Sequence, residues 1–260
     1  MHSRCFSAGI RTHARAVGRL VILLLLVLSC VSASAEKVNK AYCSPSNPPP
    51  FPKKHSAAND EYFKDAVFIG DSSMDDVEMY DLFPTANFVT KVGISPISAS
   101  RKEFRYKGSR EYKNMYDVVA NYPHKKIYIL LGANSLDNKN SELSFADYKK
   151  MMEVFLERFP DSIFYLITPT AMTESVLGKL QISPERFKNF HDMLIDFAKE
   201  RQCYIIDFYS LVLNDKGYLP GKYDCGDGVH PNYNGLKLLE NEIRTHAVER
   251  QITFTFKKRQ

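Results

Sequence analysis

Little in this sequence marks a specialised scaffold. Five cysteines among 260 residues are too few for a disulfide-dense fold. Twelve glycines and 13 prolines exclude a fibrous or low-complexity chain. Apolar residues are not scarce. A 44% hydrophobic and 25% charged composition excludes a disordered chain and suits one large globular domain or two small ones. Charge of one sign is missing too. The formal net charge is +5, but Arg4, Arg11, Arg15 and Arg19 fall within the first 35 residues, which hold no Asp or Glu. The remainder carries 31 basic residues against 30 acidic, with a short basic tail at Lys257, Lys258 and Arg259. A nucleic-acid reader keeps a broad basic face. None is written here, so no nucleic-acid partner is expected. No two His or Cys residues have the spacing of a zinc site, so neither metal nor cofactor is expected.

Long apolar runs are limited to one, LVILLLLVL at residues 20–28. It follows the basic stretch that ends at Arg19 and precedes Ala33-Ser34-Ala35. A charged start, a short apolar stretch and a small-residue site read as a secretory signal peptide over residues 1–35, cut after Ala35. The uncharged stretch from residue 20 to 35 is 16 residues long, short of the roughly 20 that span a bilayer. The expectation is a secreted or extracytoplasmic protein. Two routes to membrane attachment stay open: an uncleaved signal, or lipidation of Cys30. Ser29-Cys30 is faintly similar to a bacterial lipoprotein signal, although Leu28 departs from that pattern. Cleavage would leave Cys43, Cys203 and Cys225. Three pairings and three free thiols are all compatible with the sequence; if one pair forms, Cys43 with Cys225 is preferred. Cys203 opens an apolar stretch and reads as a buried thiol.

Residues 36–60 are polar and Pro-rich, with Pro45, Pro48, Pro49, Pro50 and Pro52, and read as an extended spacer. The domain follows over residues 61–250, and residues 251–260 form the basic tail. Short apolar runs at residues 66–69, 87–92, 126–131, 162–168 and 203–208 are bounded by Gly or Pro in four of five cases. Such runs suit strands buried on both faces. Helix-like stretches lie between them at residues 109–121 and 144–159. Another runs from a Ser183 cap with Pro184 in its first turn to residue 201, and the last covers residues 232–250. Alternating strands and helices predict an α/β fold, a three-layer α/β/α sandwich around a five-stranded parallel sheet. Ligands of such sheets bind at the carboxyl ends of the strands.

Four polar motifs fall there. Gly70-Asp71-Ser72-Ser73 follows the first strand, where a serine stands in a tight turn at a helix N-terminus that favours negative charge. The same residues are also ordinary turn and cap chemistry. Gly93 ends the second strand, where a backbone N–H can approach a ligand closely. Gly132-Ala133-Asn134 ends the third, and an Asn amide there can donate to an oxyanion. Asp227-Gly228-Val229-His230 precedes the last helix; an Asp three residues before a His can fix the imidazole tautomer while the other nitrogen takes a proton from serine. The acidic Asp75, Asp76 and Glu78 read as helix-start charges, and His191-Asp192 as an exposed polar face. The loop at residues 214–224 is placed to wall a pocket.

In their order these motifs resemble the SGNH (GDSL-like) hydrolase family over about residues 63–250. The resemblance implies a flavodoxin-like α/β/α fold and a serine esterase. It assigns Ser72 as nucleophile, His230 as base and Asp227 as its orienter. Oxyanion donors would be Gly93, Asn134 and the backbone N–H of Ser72. Ser73 replaces the family's usual Leu, and Ser135 stands where many members carry Asp; both leave subfamily and substrate open. The expected substrate is a small-molecule or glycan ester, O-acetyl above all, as secretion and family habit imply. The alternatives are an O-acyltransferase with the same acyl-enzyme, a lipase or phospholipase, and a catalytically silent surface binding module.

Overall fold

The computed structural model describes residues 48–99, 101–105, 111–136 and 140–248. The signal-like segment, Cys30, Cys43 and the basic tail lie outside them. After a 3₁₀ turn at Asp60–Phe63, the elements in chain order are β1 (Ala66–Gly70), α1 (Ser72–Met79), β2 (Asn87–Thr90), α2 (Pro96–Ala99), β3 (Glu103–Arg105), β4 (Tyr112–Asn114), α3 (Met115–Val119), β5 (Lys126–Leu130), α4 (Ala133–Leu136), α5 (Ser141–Arg158), β6 (Ile163–Ile167), α6 (Glu174–Leu180), α7 (Glu185–Arg201), β7 (Tyr204–Ile206), α8 (Phe208–Val212) and α9 (Tyr233–Thr245).

The expected five apolar runs form one parallel sheet of order β2-β1-β5-β6-β7. Strand order reverses between β1 and β5, so the chain leaves these two neighbours toward opposite faces and opens a crevice at their carboxyl ends. Every residue of β1, β5 and β6 is buried, as strands sandwiched between helix layers must be.

The two faces of the sheet are chemically different. On one, Val67, Ile69, Ile127, Ile129, Leu166 and Ile205 pack under α5 and α7. Asn140 caps α5 by accepting from the Leu143 N–H. Its Ser144, Tyr148, Met151, Met152 and Phe155 recur at helical spacing and are buried. On the other face Phe88, Phe68, Tyr128, Tyr165 and Tyr204 sit side by side, one per strand. Their ring centroids are 5.2, 4.5, 4.3 and 5.5 Å apart in that order. Such stacked pairs add about 0.5–1.5 kcal/mol each beyond their burial. Leu236, Leu239 and Ile243 of α9 cover this layer.

The structure corrects three local expectations. Residues 109–121 are not one helix: Tyr112–Asn114 pairs antiparallel with Glu103–Arg105, and only Met115–Val119 is helical. Ser183 is not the helix cap, because Pro184 holds that position, although Ser183 Oγ accepts from the Glu185 N–H. His191 is not on an exposed face. It is buried, with its ring between the carboxylates of Asp192 (2.9 Å) and Asp207 (3.1 Å). Burial alone would push its pKa down; the two carboxylates outweigh it and hold it above the ordinary histidine value.

Of the Pro-rich stretch, residues 48–60 are described, and they are hydrogen-bonded to the domain. The Pro50 carbonyl accepts from the Ile205 N–H on edge strand β7, and His55 and Ala58 donate to the carbonyls of Thr245 and Arg244. Cys203 is buried, its thiol against the Arg201 carbonyl.

Candidate active site

β1 delivers the first group. Gly70 ends the strand because nothing larger fits: a Cβ there would stand 2.3 Å from Met74 Cβ and 2.8 Å from the Leu130 carbonyl. The chain then turns directly into α1. Asp71 caps this helix through Oδ1, which accepts from the Ser73 N–H at 3.1 Å. Ser72 is thereby the first helical residue, and its own N–H has no carbonyl one turn back to bond. Its side chain is half-buried at the rim of the crevice.

The second group comes from the loop before α9. Gly226 and Gly228 have φ of +109° and +78°, and these two left-handed turns fold the loop back on itself. Gly228 is also packed tightly, since a Cβ would meet Val176 at 2.5 Å and Thr173 Oγ1 at 2.7 Å. Asp227 Oδ1 accepts from the backbone N–H groups of Val229 and His230 at 2.7 and 2.9 Å. Its Oδ2 accepts from His230 Nδ1 at 2.6 Å. With that nitrogen protonated, Nε2 is the free acceptor, and it lies 2.7 Å from Ser72 Oγ. Ser72, His230 and Asp227 thus form one continuous hydrogen-bonded relay across 158 residues of sequence.

The two carboxylates at the site are tuned in opposite directions. Asp71 is 3% exposed, and burial pushes its pKa up to about 6 against the Ser73 N–H, the nearby His230 and the Asn134 amide. For Asp227 burial also pushes upward. The His230 ring and two backbone N–H groups outweigh it and hold the carboxyl far below the usual carboxylate range. Asp227 is therefore ionised wherever His230 is to act as a base.

The other expected residues are placed less simply. Asn134, at the start of α4, lines the same cleft as Ser72 and His230. Its amide donates to Asp71 Oδ2 and to the Ile94 carbonyl, both at 3.0 Å. Both amide hydrogens are engaged, so an oxyanion must compete with Asp71 for one of them. Gly93 has φ +70° and is exposed. It is not among the residues that line the cleft; its neighbour Ile94 joins the network instead. For Asp71 the sequence offers only turn and cap chemistry; the structure bears out the cap through Ser73 and adds the bond from Asn134. Cys225, read from the sequence only as a disulfide partner for Cys43, has its thiol with Asp227 and His230 in a cluster of donor atoms all within 4.8 Å of one another. The signal was available as three ligand-type residues within six positions.

The cleft over Ser72 is narrow, with a cavity volume of about 30 Å³, room for roughly two or three water-sized groups. Beside it a wider groove of about 550 Å³ runs between residues 173–175 and 214–221, lined by Thr173, Glu174, Ser175, Asn214 and Tyr218. The wall between them is tied to the catalytic loop. The Thr173 N–H donates to the Gly228 carbonyl at 2.9 Å, and the Leu219 N–H donates to the Met172 carbonyl at 3.1 Å. The loop expected to wall a pocket forms one side of this groove.

The GDSL-like lipase/acylhydrolase family model matches residues 68–238. Among solved structures the chain is similar to a protein described as an acylhydrolase from Bacteroides fragilis, at 18% identity and TM-score 0.55, over 75% of this chain and 88% of that one. It is likewise similar to a GDSL-like lipase from Bacteroides thetaiotaomicron, at 17% identity and TM-score 0.55, over 73% of this chain and 89% of that one. At such identities the likeness is one of fold. No curated protein matches the chain.

Proposed function

The chain belongs to the GDSL-like lipase/acylhydrolase family of ester-hydrolysing enzymes, and from that premise we propose that it is a secreted or envelope-attached serine esterase that removes small acyl groups, acetyl above all, from a bulky polar alcohol such as a glycan. The observation that carries this reading is the relay Asp227–His230–Ser72, with links of 2.6 and 2.7 Å. Ser72 Oγ attacks the ester carbonyl while His230 Nε2 takes its proton, and the ionised Asp227 stabilises the imidazolium. The oxyanion is met by the N–H group of Ser72 and by the Asn134 amide, which turns from Asp71 to the developing charge. His230 then protonates the leaving alcohol, and water resolves the acyl-enzyme.

The unequal cavities support the choice of substrate. A cleft of about 30 Å³ matches an acetyl group better than a fatty chain. The groove of about 550 Å³, with its hydroxyls, Asn214, Glu174 and Tyr218, suits a polyhydroxylated alcohol. The apolar run at residues 20–28 behind four arginines supports export.

The test is hydrolysis of p-nitrophenyl acetate by the purified chain, beside Ser72→Ala and His230→Ala. The expected result is turnover by the native protein and background rates for both variants. Rates should fall steeply from acetyl to octanoyl esters. Equal rates for native and Ser72→Ala protein would remove the esterase reading, and faster octanoyl hydrolysis would turn it toward a lipase. An acylated sugar formed in preference to acetate would make the protein a transferase.

A further inference from the structure

We propose that the loop carrying the catalytic base is also an inhibitory binding site for a thiophilic divalent cation of the zinc type, held by Cys225 Sγ, Asp227 Oδ and His230 Nδ1. The proposal rests on the reading of Ser72, His230 and Asp227 as the reacting relay, because the cation would take over two of its members.

Three observations support it. The three donor atoms already lie within 4.8 Å of one another. Zinc bonds of about 2.3 Å to sulfur and 2.0–2.2 Å to nitrogen and oxygen require ligand atoms somewhat over 3 Å apart, so side-chain rotation of about 1 Å completes the set. The backbone holds the residues in place for this. The Cys225 N–H donates to the His230 carbonyl at 3.0 Å, and the left-handed turns at Gly226 and Gly228 bring position 227 round between them. Cys225 and Asp227 are exposed and His230 is partly so, which opens the cluster to ions from solvent. The donor set, one thiolate, one imidazole and one carboxylate, leaves a fourth tetrahedral position for water and selects zinc over magnesium or calcium.

Inhibition follows from the tautomer. Binding releases the Cys225 thiol proton to solvent, and the cation takes the Nδ1 lone pair of His230. The single proton of the neutral ring, carried on Nδ1 in the free protein, moves to Nε2. The lone pair that faces Ser72 Oγ at 2.7 Å is lost, and Ser72 has no base.

The test pairs a binding readout with an activity readout. The full chain, kept reduced with a phosphine, is titrated with Co²⁺, and the thiolate-to-cobalt charge-transfer absorption is recorded. Zn²⁺ is then titrated into p-nitrophenyl acetate hydrolysis and withdrawn with EDTA. Cys225→Ser serves as the comparison, since serine keeps a hydroxyl toward Asp227 and removes the soft ligand. The proposal expects the cobalt band and a reversible loss of activity in the native protein. In Cys225→Ser it expects no band, unchanged basal activity, and a half-inhibiting Zn²⁺ concentration raised at least about tenfold, because a direct ligand is worth no less than the outer partners whose loss costs roughly 10–100-fold. Equal Zn²⁺ sensitivity of the two proteins overturns it, as does a native protein without the band or one that binds Co²⁺ at full activity. A native protein with no esterase activity refutes the catalytic reading instead, and the cobalt band then decides the cation site on its own.

Discussion

Asp71 precedes Ser72 in the chain and Asp227 reaches it through His230, and the fold has given the two carboxylates opposite tasks. Asp71 is buried under the nucleophile and joins the helix cap to the Asn134 amide. Asp227 is a loop residue whose side chain is 47% exposed, yet three N–H groups converge on it. Burial raises one pKa to about 6, and hydrogen bonds hold the other far below the carboxylate range. Depth in the protein therefore does not measure how strongly a charge is held; the number and aim of donors does. The deep carboxylate preserves geometry, and the shallow one preserves a charge state.

The sharpest way to break this contrast is to neutralise the shallow member. Asp227→Asn keeps its shape but allows the wrong imidazole tautomer, and kcat is expected to fall by about 10⁴; a loss below tenfold would show that Asp227 does not orient His230. Next is Asn134→Ala, which removes an oxyanion donor and one of Asp71's partners together. A loss of roughly 10²–10³ in kcat with KM little changed is expected, and a change confined to KM would mark the residue as a binding group. Gly228→Ala acts on the loop that carries the shallow carboxylate. Its Cβ meets Val176 and Thr173 inside contact distance at a φ of +78°, so the loop must shift. Displacement of the base by about 1 Å costs on the order of 10² in rate, measurable beside an unchanged far-ultraviolet circular dichroism spectrum.

The smallest effect is on stability, and here the two carboxylates have opposite signs. Asp71 has a raised pKa, so its contribution is full below about pH 4 and is lost as pH rises through about 6, by at most about 3 kcal/mol. Asp227 has a depressed pKa, so its contribution is present above about pH 4 and is lost as pH falls below that. Denaturant unfolding between pH 3 and 7 should show stability rising and then declining, and Asp71→Asn should remove the decline between pH 4 and 6. The slope is the readout, since the variant also loses an acceptor.

The sequence displayed this contrast only in part. The relay was legible because its polar members sit in short local patterns, Gly70-Asp71-Ser72 and Asp227-Gly228-Val229-His230. The strands were legible because burial on both faces leaves uninterrupted apolar runs. The deep half was not. Asp71 acquires its role from burial and from Asn134, 63 residues away, and no local pattern encodes either. His191 was misread for the same reason, since Asp207 reaches it from another element. β4 falls within the stretch that reads as helix because a strand's partner, here β3, decides its structure as much as its own residues do.

The row of rings on one face of the sheet also has an optical consequence. The chain has no tryptophan and 15 tyrosines. Tyr128 and Tyr165 lie 4.3 Å apart and within 7° of parallel, close enough for their electronic transitions to couple. Near-ultraviolet circular dichroism of the native protein will be dominated by this coupled pair and its stacked neighbour Tyr204. The centre of the sheet thus carries its own chromophore, and loss of its packing can be followed without a label.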